Sequence, residues 1–81
     1  MSWSKYIVIE SELGNECIVV FPDQLTHAEI GHRKAVVSAG FISFVDDGKA
    51  VCFGKSTSLG LEARPEEDSR LANKQLLRRA A

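Results

Sequence analysis

The hydrophobic rhythm of the chain changes at Arg64-Pro65. Ahead of that point, short β-branched and aromatic runs alternate with Gly, Asn, Asp and Pro, the punctuation of a small sheet. Lys5-Tyr6-Ile7-Val8-Ile9-Glu10 is apolar on both faces, as expected of a strand covered on either side. Leu13-Gly14-Asn15 supplies a turn. Cys17-Ile18-Val19-Val20-Phe21 returns as the partner strand until Pro22, which has no N–H for a ladder. Ala35–Ala39 and Phe41–Val45 predict a third strand and a fourth, or one continued strand, with Gly40 as a bulge or bend between them. Asp46-Asp47-Gly48 has the form of a three-residue hairpin loop, and Lys49–Phe53 pairs back across it. Leu59, Leu61 and Ala63 then alternate with polar or small residues, the pattern of a half-exposed edge strand over 58–63.

Two helical segments interrupt or close this sheet. Thr26-His27-Ala28-Glu29 is a capping box, with Leu25 and Ile30 at the positions of a hydrophobic staple. Gly31 limits that helix to one or two turns near 26–31, within a crossover spanning 22–33. At the other end, Pro65 suits the first helical position, Glu66, Glu67 and Asp68 favour the positive end of the helix dipole, and Arg78 and Arg79 favour its negative end. On a 100° wheel Leu71, Ala72 and Leu76 share a face with Gln75, while Leu77 points elsewhere. These elements predict one α+β domain over residues 1–81: an antiparallel sheet of five to six short strands with a C-terminal helix near 65–79 packed on it.

Composition narrows the function classes. Hydrophobic residues make up 44% and charged residues 26% of the 81 residues, ordinary globular material with room for a single core. So short a chain gains from oligomerisation, most simply as a homodimer. Ten basic and eleven acidic residues give a net charge of −1, which disfavours electrostatic capture of nucleic acid. Neither a signal peptide nor a membrane-spanning run is legible, so the expected location is the cytoplasm. In a reducing compartment Cys17 and Cys52, both on predicted strands, read as buried thiols; a disulfide would require those strands to be neighbours.

Candidate chemistry is sparse. Gly54-Lys55-Ser56-Thr57 resembles the end of a phosphate-binding loop, but its first glycine is missing at position 49 and strands, not a strand and a helix, flank it. His27 and His32 diverge by about 140° on a helix, so they do not chelate a metal together and read as exposed or capping side chains. Ser38, Ser43, Ser56, Ser58 and the cysteines have no general base tied to them, and Asp46-Asp47 sit where turn geometry selects Asp. No cofactor, metal or catalytic residue is expected, and the chain does not read as an enzyme.

Two features remain. Arg70, Lys74 and Arg78 recur at i, i+4 and i+8 as a basic stripe, which as a solvated helix face would pair Glu66 with Arg70. Phenylalanines on predicted strands read as core, but Trp3 lies outside any periodic pattern, and tryptophan is favoured at binding hot spots. The partner-binding residues expected from sequence are therefore Trp3, Arg70, Lys74, Leu77 and Arg78, with the strand over 58–63 as a further docking edge.

Val36-Val37-Ser38-Ala39-Gly40-Phe41, Ser58-Leu59-Gly60-Leu61 and Arg64-Pro65-Glu66-Glu67-Asp68 resemble segments of small uncharacterised proteins of tailed phages and prophages, over about residues 35–71. The resemblance implies a non-enzymatic, anti-defence type of protein that inhibits or modulates a host protein complex by protein–protein interaction in the host cytoplasm. It carries no site residues with it. The alternative is a nucleic-acid or nucleotide-ligand binder using the basic stripe and Lys55, and a third reading is a minor virion component.

Overall fold

A computed structural model describes residues 3–32, 34–45 and 48–77, with the backbone alone at Leu77. The architecture is α+β. Strands β1 (Ser4–Glu10), β2 (Glu16–Phe21), β3 (Val36–Phe44) and β4 (Ala50–Phe53) form an antiparallel sheet of order β2-β1-β3-β4. A separate two-stranded ribbon joins β5 (Lys55–Ser56) to β6 (Leu61–Glu62). Helix α1 (His27–Gly31) lies in the crossover from β2 to β3, and α2 (Pro65–Ala72) continues into a wider π-helical turn over Asn73–Leu77.

The sheet forms the middle of three layers. Alternation along the strands sends Tyr6, Val8, Ile18, Ile42, Ala50 and Cys52 toward α2, where Ala72, Leu71 and Leu76 pack against them. The opposite face gathers Ile7, Phe21 and Ala39 beneath Ile30, Leu59 and Leu61 of α1 and the ribbon segment. Central strand β1 is covered on both sides, and Tyr6, Ile7 and Val8 are fully buried, as its apolar run predicts.

Local signals behave as their chemistry requires. Glu29 N–H donates to Thr26 Oγ1 at 3.0 Å, and Thr26 N–H donates to Glu29 Oε1 at 2.8 Å, closing the capping box. The N–H donation from Thr26 holds the Glu29 carboxyl below its usual range. Gly48 adopts φ +85° at the β3–β4 turn, and Val45 N–H donates to Lys49 O at 2.9 Å across the loop. Asp46 and Asp47 lie outside the described residues.

The structure corrects several expectations. Val36–Phe44 is one strand running through Gly40, and the bulge falls earlier: Val8 pairs with Ser38 and Ile9 with Val36, leaving Val37 as the extra residue. Gly40 is required for a different reason, because a Cβ there would stand 2.5 Å from Phe53 O and 3.1 Å from Ala63 Cβ. The edge strand expected over 58–63 is reduced to Leu61–Glu62, paired within the ribbon. Cys17 is exposed and only Cys52 is buried; they lie on the two outer strands of the sheet and are both free thiols. His27 is buried, not exposed, and Nε2–H of its ring donates to Gly40 O at 2.8 Å.

Helix α2 and its π turn also close the sheet edges. Cys52 N–H donates to Ser69 Oγ and Ala50 N–H to Asn73 Oδ1, both at 2.8 Å, while Asn73 Nδ2 donates to Ala50 O at 3.1 Å. At the far edge, Ile18 N–H donates to Gln75 Oε1 at 3.0 Å and Gln75 Nε2 donates to Glu16 O at 2.9 Å. Side chains of one helical segment thus occupy hydrogen-bonding groups on both outer strands, the positions through which sheets otherwise recruit further strands.

Candidate functional site

The chemically densest cluster is structural. Tyr6, on β1, projects toward α2 and donates its hydroxyl proton to Asp68 Oδ2 at 2.5 Å; both side chains are fully buried. Asp68 also accepts from the backbone N–H of Arg64 at 2.9 Å and from Arg64 Nε at 3.0 Å. The Arg64 guanidinium then forks onto Glu16, with Nη1 at 3.1 Å from Oε2 and Nη2 at 2.9 Å from Oε1. Asp68 therefore satisfies the start of α2, neutralises the arginine that fastens α2 to β2, and fixes the tyrosine of the central strand.

The titration of this cluster follows from its surroundings. Burial, then the bond to Asp68, pushes the Tyr6 hydroxyl far above its usual range. Burial, followed by the negative charge of Asp68, raises the Cys52 thiol to about 11. Glu16 is the leading cause that holds Arg64 firmly protonated. A thiol and a phenol kept in their neutral forms are poor nucleophiles near neutral pH, and the hydrogen bonds of the cluster join β1, β2 and α2.

The sequence signals for this clamp are the spacing of Arg64 and Asp68, four apart across a helix start, and a single tyrosine within an otherwise aliphatic strand whose hydroxyl needs a partner once buried. In the sequence alone Asp68 reads as a helix-dipole residue and Arg64 as the residue before the helix-starting Pro65.

Ser38, Ser43 and Ser56 are buried, and Ser58 Oγ accepts from Ala28 N–H at 3.1 Å. Among the described residues no group of three or more His, Cys, Asp or Glu side chains is arranged to hold a metal ion, and no helix is long and apolar enough to cross a membrane.

The expected partner-binding residues fall on separate surfaces. Arg70 on α2 and Lys74 on the π turn are exposed and border a groove of about 240 Å³ with Glu16, Glu67 and Leu71. Among the described residues neither cation forms an ion pair, and Glu66 does not reach Arg70. Arg78 and the side chain of Leu77 lie outside the described residues.

Trp3 is on the other side of the sheet. It stands edge-on to Phe41 at 4.7 Å between ring centroids and to Phe53 at 6.2 Å. Phe41 and Phe53 face one another across β3 and β4 at 6.0 Å, and His27 meets Phe41 edge-on at 5.7 Å. Trp3 is 45% exposed, Val51 42% and Phe53 38%, so the expectation that strand phenylalanines are core fails at Phe53, as it does at Phe44, which is 47% exposed. Trp3, Phe41, Val51 and Phe53 make an aromatic shelf on the ribbon side of the sheet, and α1 and the ribbon leave Trp3, Val51 and Phe53 exposed.

Beside the shelf is a polar recess of about 140 Å³ lined by Lys5, Thr26, His27, Phe41, Lys55, Thr57 and Ser58. Lys5 Nζ donates to Leu25 O at 2.9 Å, which anchors one ammonium at its rim.

Fold and surfaces together define a small α+β domain with one sheet face packed on a helix and a partly uncovered aromatic cluster on the other. No protein-family profile, curated protein or solved structure matches this chain.

Proposed function

We propose that this chain is a small non-enzymatic binding protein that engages a protein partner through the shelf formed by Trp3, Phe41, Val51 and Phe53. One observation carries the reading: Trp3, Val51 and Phe53 stay partly in solvent on one face of the sheet, where Trp3 and Phe53 also pack against Phe41. Exposed clusters of this kind mark interaction surfaces, and tryptophan and phenylalanine supply contact area at little conformational cost. The net charge of −1 favours a protein over a nucleic acid as the partner. With the resemblance to tailed-phage proteins, the reading extends to inhibition or modulation of a host protein complex in the cytoplasm.

Photo-crosslinking tests this. A benzophenone side chain placed at position 3 or 53 is expected to yield one dominant protein adduct, and one at position 70 none. Adducts from position 70 alone would move the interface to α2.

That outcome belongs to a second reading, supported by the unpaired Arg70 and Lys74 among the described residues. In it the groove of α2 binds phosphates of a nucleic acid or nucleotide, with affinity that falls steeply with salt and weakens in Arg70→Ala.

A further inference from the structure

The recess beside the aromatic shelf has a chemistry of its own. Among the described residues its lining contains two lysines and four further hydrogen-bonding side chains, Thr26, His27, Thr57 and Ser58, and no carboxylate. Lys5 acts electrostatically on Glu29, whose Oε1 already accepts the N–H of Thr26 at 2.8 Å. Lys55 faces Glu62 across the ribbon in register, but no ion pair forms between them. Both ammonium groups therefore retain protons to donate.

The walls are held in place. Ser58 Oγ ties the ribbon turn to α1 through Ala28 N–H, Ser56 Oγ accepts from Leu59 N–H at 3.1 Å, and Lys5 is fastened to Leu25 O. His27 is fixed by Gly40 O through Nε2, which leaves Nδ1 without a partner among the described residues. At about 140 Å³ the recess takes an anionic head group; it is smaller than the several hundred cubic ångströms that a whole nucleotide or metabolite occupies. Phe41 lines the recess and also packs against Trp3, so the anion site and the shelf are continuous.

We infer that the recess is a carboxylate pocket, and that the partner segment is an acidic–aromatic peptide. Its Asp or Glu side chain enters between Lys5 and Lys55, while a neighbouring bulky apolar residue lies on Trp3 and Phe53. This rests on the proposed protein-binding role of the shelf and adds the chemistry of the partner. Charge-assisted hydrogen bonds from two lysines supply orientation, and the aromatic shelf supplies buried area.

A random dodecapeptide library displayed against the purified full chain tests it, with affinities of the selected peptides measured by fluorescence anisotropy. The expected peptides share an Asp or Glu within a few positions of a Trp, Phe or Leu. Lys55→Gln, an exposed substitution that breaks none of the hydrogen bonds described above, is expected to weaken them about tenfold, a change of about 1.4 kcal/mol. Arg70→Gln is expected to leave them unchanged.

Lys5→Gln should weaken binding comparably, with its thermal melt recorded beside it because that variant also loses the bond to Leu25 O. Peptides that bind through Trp3 but carry no acid, or that ignore Lys55→Gln, would overturn the carboxylate pocket while leaving the shelf intact. Peptides insensitive to Trp3→Ala would overturn both. Tighter binding of an oligothymidylate than of any peptide, at the same recess, would replace the acidic side chain by a phosphate and overturn the inference.

Discussion

The helix side of the sheet and its ribbon side are finished in different ways. On the helix side, a tyrosine from the central strand, an aspartate from the first turn of α2, and an arginine–glutamate fork join three elements through buried or half-buried hydrogen bonds. Ser69, Asn73 and Gln75 then reach over both outer strands. On the ribbon side, a five-residue helix and two-residue strands cover Ile7, Phe21 and Ala39 but leave Trp3 and Phe53 in solvent. A domain of this size has little surplus stability, so concentrating specific polar bonds on one face releases the other from that task. A partner is best sought on the face whose side chains the fold does not consume.

The comparison is broken most directly at Asp68. Asp68→Ala removes the acceptor for Tyr6, for the Arg64 backbone and for the Arg64 guanidinium together, and is expected to cost about 3–5 kcal/mol, as when one partner of a buried ion pair is deleted. Urea denaturation measures this, and a loss below about 1 kcal/mol would show that the helix face is not held by this clamp.

The alkaline limb comes next. Tyr6 and Cys52 both hold their protons more firmly in the folded chain than in the unfolded one. Their contribution is therefore complete below the unfolded thiol value of 9.0 and declines as pH rises, for Cys52 through about 11. Each group contributes a slope of at most about 1.4 kcal/mol per pH unit within its own window. Urea midpoints at pH 8, 9 and 10 should fall progressively, and Cys52→Ala should flatten the decline between pH 9 and 10. An equal decline in that variant would assign the effect elsewhere.

A smaller loss is expected at the sheet edge. Asn73→Ala frees both polar groups of Ala50 from their partner and should cost about 1–2 kcal/mol. It should also promote self-association detectable by sedimentation, because an open edge recruits strands.

Trp3→Ala gives the contrast that sharpens the comparison. Its ring contacts with Phe41 and Phe53 are worth about 1 kcal/mol, so the melting temperature should fall by only about 4–8 °C while partner capture is lost. A large loss of stability instead would make the shelf part of the core.

Elements whose causes are local are legible in the sequence. The capping box of Thr26 and Glu29, the turn glycines, the two-sided apolar run of β1 and the amphipathic wheel of α2 each depend on residues a few positions apart, and each is present. The limits of that reading are equally physical. Tyr6 and Asp68 are 62 residues apart and Gln75 lies 59 from Glu16, so neither bond leaves a periodic trace in the chain. The aromatic shelf required the register that sets Phe41 opposite Phe53 and the strand order that brings Trp3 beside them. Alternation predicts which residues share a face of a strand, but it does not specify which face another element will cover. The tertiary structure alone decided that Phe21 is core and Phe53 is surface, because α1 and the ribbon are too short to cover the whole sheet.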